Sequence, residues 1–142
     1  MKIPDVNILI YAHDASLPFH SKARNWLVEA LPNRVDPVGI APVAALAFIR
    51  LICNPKVFKN PLRIAEACKV VQSWTVAGAV WIDIDKIHFE TAKRLLEESH
   101  GGLNLLTDVH LAALAIDHRA TLFSNDRDFA RFKGLKVKNP VD

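Results

Sequence analysis

The sequence predicts an α/β fold in which helices cover both faces of a central parallel sheet, a three-layer α/β/α sandwich. Short apolar segments alternate along the chain with longer segments of helical periodicity, and this order is typical of parallel strands joined by helices. The 142 residues suit one domain, and 51% of them are hydrophobic, enough for a sizeable core. No repeat, low-complexity stretch or flexible linker divides the chain, so we expect a single domain over residues 1–142.

Five elements are predicted in the first half of the chain. They are a strand over residues 2–5, a helix over 19–31, a strand over 35–40, a helix over 43–53 and a helix over 64–74. Apolar residues recur on one face of the first and third helices. Pro42 and the pair Asn60-Pro61 stand where a helix begins, because proline suits the first helical turn. The helix over 43–53 carries Arg50 as its only charge, so we expect it to lie in the interior or beneath a partner.

Six elements are predicted in the second half. They are a buried strand over residues 80–82, a helix capped by Asp85, a helix over 105–117, a strand over 120–123, a helical turn over 126–132 and a strand over 135–137. Gly101-Gly102 breaks the chain between the two helices. The three tryptophans occupy periodic apolar positions, and we expect them in the core or an interface. These are Trp26, Trp74 and Trp81.

Composition excludes several classes of protein. The formal net charge of +3, from 18 Lys and Arg against 15 Asp and Glu, is too small to indicate nucleic acid by itself. Cys53 and Cys68 are the only cysteines. One disulfide is formally possible, but two buried thiols are the better interpretation, and no CxxC or Cys/His cluster indicates zinc. No long apolar segment follows the N-terminus, and the run over 38–49 contains Gly39 and Pro42. We therefore expect a soluble, cytoplasmic protein without a signal peptide or membrane span.

Carboxylates follow the predicted strands. Asp5 ends the first strand, and Asp126 and Asp128 follow the strand over 120–123. Asp108 interrupts the apolar start of the helix over 105–117. Taken singly, each has a local explanation as a helix cap or as a negative charge near a helix N-terminus.

Taken together, the same carboxylates predict a cation site. Parallel topology brings the carboxyl ends of neighbouring strands to one edge, where ligands bind in such sheets. Asp5, Asp108 and Asp126 could therefore converge, and carboxylates at close range repel unless protons or cations neutralise them. An oxygen-only cluster suits Mg²⁺ or Mn²⁺, which nucleases and phosphatases use in phosphate chemistry.

Five stretches resemble the PIN-domain ribonucleases, and in particular the VapC-type toxins of bacterial toxin–antitoxin pairs. They are D-V-N-I-L-I-Y-A at 5–12, F-I-R-L-I-C-N-P-K-V-F at 48–58, T-D-V-H-L-A-A-L-A at 107–115, S-N-D-R-D-F at 124–129 and F-A-R-F-K-G-L-K-V-K-N-P at 129–140. Each motif alone is weakly specific. Their order and spacing across nearly the whole chain carry the resemblance, which implies a PIN-like fold.

The resemblance implies specific roles for the acidic residues. Asp5, Asp108 and Asp126 match the residues that bind Mg²⁺ or Mn²⁺ and carry catalysis. Asn7 and Ser124 match polar positions that support the site.

The remaining matches are weaker. Asp128 is commonly acidic in these toxins, and we expect it to support the site from the side or to cap the local turn. Arg50, Lys56 and Arg127 are candidate phosphate contacts, although each is more ordinary as a surface charge. The histidines, His110 among them, have no persuasive catalytic spacing.

One position departs from the family. Many PIN nucleases place a glutamate early in the third helix, where this chain has Ala45, and no acid occurs between Asp36 and Glu66. The missing charge weakens a metal site. Two alternatives follow: a site that works with three or four aspartates, or a PIN-like module that binds RNA or antitoxin without cleaving.

The implied reaction is metal-dependent hydrolysis of single-stranded or structured RNA. The implied partners are a second copy of the chain in a homodimer and a VapB-type antitoxin whose C-terminal segment covers the site. A phosphatase using Asp-x-Asp fits poorly, because Asn7 replaces the second acid and cannot transfer a proton.

Overall fold

The computed structural model describes residues 1–142, with five strands and six α-helices. The strands are β1 (Lys2–Pro4), β2 (Gly39–Ile40), β3 (Val80–Trp81), β4 (Thr121–Phe123) and β5 (Lys136–Lys138). The helices are α1 (Val6–His13), α2 (His20–Ala30), α3 (Pro42–Ile52), α4 (Ile64–Val76), α5 (His88–Ser99) and α6 (Leu106–Asp117). Short 3-10 helices span Leu103–Leu105 and Arg127–Arg131.

All paired strands are parallel. β4 lies between β1 and β5, β2 pairs with β3, and a bridge between Lys2 and Val38 joins the two sets. The strand order is therefore β3-β2-β1-β4-β5. From β1 the chain builds outward to β3 and then returns to the other side of β1 with β4, so the order reverses between β1 and β4. In parallel sheets, ligands bind beyond the carboxyl ends of strands at such a switch point.

Helices cover the sheet in two groups, which confirms the predicted three-layer architecture. Successive contacts join α1 to α2, α1 to α3 and α3 to α4, whereas α5 packs on α6. Ala112, Ala113 and Ala115 of α6 are fully buried. Their small side chains let α6 lie close to the sheet. The helix is apolar on nearly every side because it contacts both β4 and α5.

One cluster of 30 buried hydrophobic residues forms the main core. Ile3 and Leu122 lie opposite each other on β1 and β4, and both are fully buried. Phe48 of α3 packs against Trp74 of α4 with ring centroids 5.0 Å apart. Burial of such a side chain contributes roughly 1.5–3 kcal/mol. No helix has both the length and the apolar character that crossing a membrane requires.

Several predicted boundaries shift by one or two residues, but the strand over 35–40 is wrong over most of its length. Only Gly39–Ile40 forms β2, and Val35 is 97% exposed. The Asn33 side-chain carbonyl accepts hydrogen bonds from the backbone N–H groups of Val35 and Asp36. This side chain holds the segment in a turn, a known competitor of strand pairing.

The expectation that residues 80–82 form a buried strand is also wrong. β3 pairs only with β2, at one edge of the sheet, and Val80 and Trp81 are 40% and 52% exposed. Only Ile82 is buried. Apolar character cannot distinguish a central strand from an edge strand, and Trp81 is therefore not a core residue.

A polar cluster links α5 to α6 beneath the surface. His88 Nε2 lies 2.9 Å from His110 Nδ1, and His88 Nδ1 lies 3.4 Å from the Asp117 carboxylate, whose side chain is 1% exposed. The Thr91 hydroxyl donates to the same carboxylate at 2.6 Å. These contacts agree with the structural role expected for the histidines.

Candidate active site

Asp5 stands at the carboxyl end of β1 with its side chain held on both oxygens. Oδ1 accepts the backbone N–H of Val6 at 2.7 Å and caps α1. Oδ2 accepts the Ser124 hydroxyl at 2.7 Å and the Asn7 amide at 2.9 Å. A carboxylate has about four acceptor positions, so three are used and one is free. The capping explanation is thus correct, and it leaves room for a ligand.

Ser124 joins the two halves of the chain at this point. It follows β4 and is 2% exposed. Besides donating to Asp5, its Oγ accepts the Asn7 amide at 3.1 Å and the backbone N–H of Asp126 at 3.0 Å. The structure therefore brings together Asp5, Asn7, Ser124 and the backbone of Asp126, as the parallel topology predicts.

Asp126 and Asp128 begin the 3-10 helix that follows. Asp126 Oδ1 accepts the backbone N–H of Asp128 at 2.8 Å and caps this helix. No hydrogen bond engages Asp126 Oδ2. Asp128 is exposed, and its carboxylate lies 3.4 Å from the Arg131 guanidinium. It lies on the surface side of the site. It does not cap the turn, because Asp126 does, and its supporting role stays a prediction.

Asp108 lies in the first turn of α6, half-buried, without a hydrogen bond to its carboxylate. Burial raises its pKa to about 6, and the negative charges of Asp126, Asp5 and Asp128 act in the same direction. Arg131 opposes them as the smallest influence. Four carboxylates from three distant segments thus share one electrostatic environment.

The pKa of Asp5 is also raised. Burial is the main cause, and the charge of Asp126 adds to it. The hydrogen bonds from Ser124 and Val6 lower the pKa and so oppose the shift. Ionised Asp5 is therefore stabilised chiefly by Ser124, which follows β4, and by the backbone of Val6 in α1.

The donor chemistry of these residues suits a hard, hydrated cation. Free acceptor positions remain on the carboxylates of Asp5, Asp108 and Asp126, and Asp108 forms no ion pair. No three His, Cys, Asp or Glu side chains gather closely enough to form a ready-made metal cage. Mg²⁺ needs no such cage, because it keeps several waters and binds one or two carboxylates together with substrate phosphates.

Helix α3 adds no acid to the site. Ala45 is 3% exposed and belongs to the hydrophobic core. Arg50 lines a shallow surface cavity with Thr107, the neighbour of Asp108, whereas Lys56 lies in the loop after α3. Of these two cations, only Arg50 shares a cavity with a residue next to a site carboxylate.

Two asparagines extend the site beyond the predicted residues. The Asn125 backbone N–H donates to Asn7 Oδ1 at 3.4 Å, and the Asn139 amide donates to Asn125 Oδ1 at 2.9 Å. They tie the segment after β5 to the segments after β1 and β4. The turn-forming pairs Ser124-Asn125 and Asn139-Pro140 were visible in the sequence, but nothing there indicated that the two turns meet.

The class of protein follows from a family comparison. A model described as PIN domain matches residues 2–135. The chain belongs to the PIN domain family. The predicted resemblance to PIN-domain ribonucleases is confirmed.

Full-length relatives narrow the resemblance to one branch of the family. The Mycobacterium tuberculosis protein named Ribonuclease VapC37 is 40% identical over 141 residues, which cover 99% of this chain and 97% of that protein. VapC ribonuclease Mb2897 of Mycobacterium bovis is 35% identical over 139 residues, which cover 97% of this chain and 94% of that protein. The predicted similarity to VapC proteins is therefore confirmed along the whole chain.

Solved structures share the fold at lower identity. VapBC2 from Rickettsia felis, bound to a DNA fragment from its promoter, has a TM-score of 0.72 at 18% identity and covers 97% of both chains. FitAB bound to the IR36 DNA fragment has a TM-score of 0.73 at 17% identity, covering 100% of this chain and 96% of that one. At these identities the comparison establishes the fold alone.

Proposed function

We propose that this chain is a metal-dependent endoribonuclease toxin of the VapC type, acting as a single PIN-like domain in the cytoplasm. The site consists of Asp5, Asp108 and Asp126, supported by Asn7 and Ser124. Asp128 borders the site on its exposed side. The ribonuclease names of the full-length relatives support the activity.

The observation that supports the proposal most directly is that four aspartate carboxylates lie close enough to repel one another. The pKa of Asp108 rises to about 6 because of burial and three other aspartates. A fold gains no stability from this repulsion, which a divalent cation would relieve. Perturbed carboxylates at a topological switch point therefore favour a functional site over a purely structural one.

Asp5, Asp108 and Asp126 would hold Mg²⁺ or Mn²⁺ together with water. Bound in this way, the cation supplies a Lewis acid for a phosphoryl oxygen and lowers the pKa of a bound water. Ser124 and Asn7 keep Asp5 in one rotamer through Oδ2. The Asp126 backbone is fixed by the same Ser124 hydroxyl, so one side chain aligns two of the three carboxylates.

Partners are proposed on a separate observation. Large apolar side chains are exposed beside the site: Leu46 on α3 is 68% exposed, Leu103 is 85% exposed and Leu106 is 49% exposed. Such surface supports contact with other protein. We assign a VapB-type antitoxin and a second copy of the chain as the partners, and single-stranded or structured RNA as the substrate.

Cleavage and metal binding test the proposal together. The wild-type chain, Asp5→Asn and Ala45→Glu are incubated with RNA and Mg²⁺ or Mn²⁺, and melting temperatures are recorded with each cation and with EDTA. We expect cleavage and a cation-dependent rise in melting temperature for the wild-type chain, and loss of both for Asp5→Asn. Equal melting temperatures with and without cation, together with no cleavage, would refute the proposal.

The alternative of a binding module rests on Ala45. If only Ala45→Glu cleaves RNA, the chain is a PIN-like module whose site lacks one necessary charge. Wild-type cleavage at a rate similar to that of Ala45→Glu would exclude this alternative.

A further inference from the structure

Positive charge is concentrated next to the site. Residues 127–138 contain five Lys and Arg residues and a single Asp, a net charge of +4, whereas the whole chain carries +3. The other residues together are therefore slightly acidic. This segment, which we call the basic tract, includes the 3-10 helix after Asp126 and all of β5.

Most cations of the basic tract are free to bind an external anion. Arg127, Lys133, Lys136 and Lys138 are exposed. Ion pairs engage only Arg131, which contacts Asp128. Lys136 and Lys138 are separated by one residue on a strand, so their side chains point to the same side about 6.6 Å apart. This repeat is comparable to the distance between successive phosphates of a nucleic acid strand.

The basic tract begins and ends at the candidate site. Its first residue, Arg127, directly follows Asp126, and its last residue returns to the same place, because the Lys138 carbonyl accepts the Ser124 backbone N–H at 3.0 Å. A cleft of about 210 Å³ lies between the two ends, with Ser124, Asp126, Arg127 and Asn139 in its wall. β5 is the last strand of its sheet, so the approach along this edge is open.

An acidic site that acts on a polyanion needs positive charge beside it. The aspartates repel the phosphates of RNA, and flanking cations offset this repulsion as the strand approaches. Resting on the function proposed above, we propose that the basic tract binds the substrate backbone, with Arg127, Lys136 and Lys138 holding successive phosphates of single-stranded RNA that enters across β5.

Lysines on an edge strand have a second use, since they discourage pairing with the edge of another sheet. That role does not involve RNA. Salt-dependent binding separates the two roles, because each phosphate contact to a single strand contributes about 0.7 to the slope of log K against log salt.

The test uses a labelled 12-nucleotide oligouridylate and full-length protein in EDTA, which separates binding from cleavage. We compare the wild-type chain with the double variant Lys136→Gln/Lys138→Gln. The matched control is Lys69→Gln/Lys86→Gln, which removes two exposed charges from α4 and from the opposite edge of the sheet. We expect the tract variant to bind about 10-fold more weakly, with a salt slope smaller by about 1.4, and the control to match the wild-type chain.

Equal affinity and slope in the tract variant and its control would overturn the proposal. A polyglutamate peptide is the competing probe: if its binding falls as much as that of RNA, the basic tract serves an acidic protein partner and the RNA assignment is wrong. Melting temperatures verify folding. Should the double variant fail to fold, Arg127→Gln replaces it, with an expected slope reduction of about 0.7.

Cleavage kinetics distinguish this proposal from the proposed function. If the wild-type chain cleaves RNA, the tract variant should raise KM and leave kcat unchanged, because it removes binding common to ground and transition states. An unchanged KM would overturn the proposed role of the basic tract and leave the proposed nuclease function intact. If the tract variant loses RNA binding but neither the wild-type chain nor any variant cleaves RNA, the role of the basic tract is supported and the proposed nuclease function is refuted.

Discussion

Replacing Ser124 by alanine removes only one oxygen atom, but we expect it to lower the stability of the metal-free protein strongly. Ser124 Oγ donates to the Asp5 carboxylate at 2.7 Å and accepts from the Asn7 amide and the Asp126 backbone N–H. The residue is 2% exposed, so water cannot easily replace the lost partner.

The magnitude follows from these three contacts. A hydrogen bond to a charged group is worth about 1.5–3 kcal/mol, and a buried donor left without an acceptor costs about 1–3 kcal/mol. The Asn7 amide retains Asp5 as an acceptor, so the losses do not add fully. We expect a free energy of unfolding lower by about 3 kcal/mol, and a melting temperature lower by about 10 °C for a chain of this length.

The loss should depend on pH. The Ser124 hydroxyl favours ionised Asp5 and lowers its pKa against the effect of burial. Its contribution is therefore present above the pKa of Asp5 and is lost as the pH falls through that value. The difference between wild-type and variant unfolding free energies should shrink on acidification.

Thermal and urea unfolding in EDTA at several pH values provide the measurement. Ser73→Ala is the matched control, because Ser73 is an exposed serine whose hydroxyl donates to the Val70 carbonyl of its own helix. If Ser124→Ala melts within about 2 °C of this control, the hydrogen-bonded junction between β1 and β4 does not carry the stability assigned to it.

Three further predictions concern other charges. In EDTA at pH 7.5, Asp108→Asn should stabilise the protein by less than about 1 kcal/mol, since the carboxyl is half-buried and screened. Because the pKa of Asp108 is raised to about 6, this gain in stability should vanish below about pH 4. If urea unfolding at low pH still shows the gain, repulsion of the ionised carboxylate is not its cause. Ala45→Glu should lower the melting temperature in EDTA, because the residue is 3% exposed and a charge there lacks a partner; an unchanged melting temperature would show that the side chain reaches solvent. Asp117→Leu should cost about 1–3 kcal/mol of unfolding free energy, because it removes the carboxylate that accepts the Thr91 hydroxyl at 2.6 Å and that lies 3.4 Å from His88 Nδ1. A loss below about 1 kcal/mol would show that the cluster does not stabilise the fold.

The acidic residues near the site were predicted from the sequence, whereas helix α1, which follows Asp5, was not. Asp5 and Asp126 both follow short apolar strands, and both cap the helix that comes next. An acid at the end of a strand can accept hydrogen bonds from the first N–H groups of the next helix, so such a residue can be predicted from the local sequence. The edge position of Trp81 could not be predicted, because it depends on which strands lie beside β3. The turn at Asn33 rests on local hydrogen bonds to Val35 and Asp36, and it was missed because the residues after Asn33 were interpreted as a strand.

The sequence by itself determined the α/β class, the order of strands and helices apart from α1, which was not predicted, and the residues able to form an acidic site, since these follow from local periodicity and side-chain chemistry. Tertiary structure alone decided that Ser124 aligns Asp5 with Asp126 and that the basic tract returns to the site at Lys138. Each of these depends on strands distant in the chain becoming neighbours, and the distances between their atoms exist only after the sheet has formed.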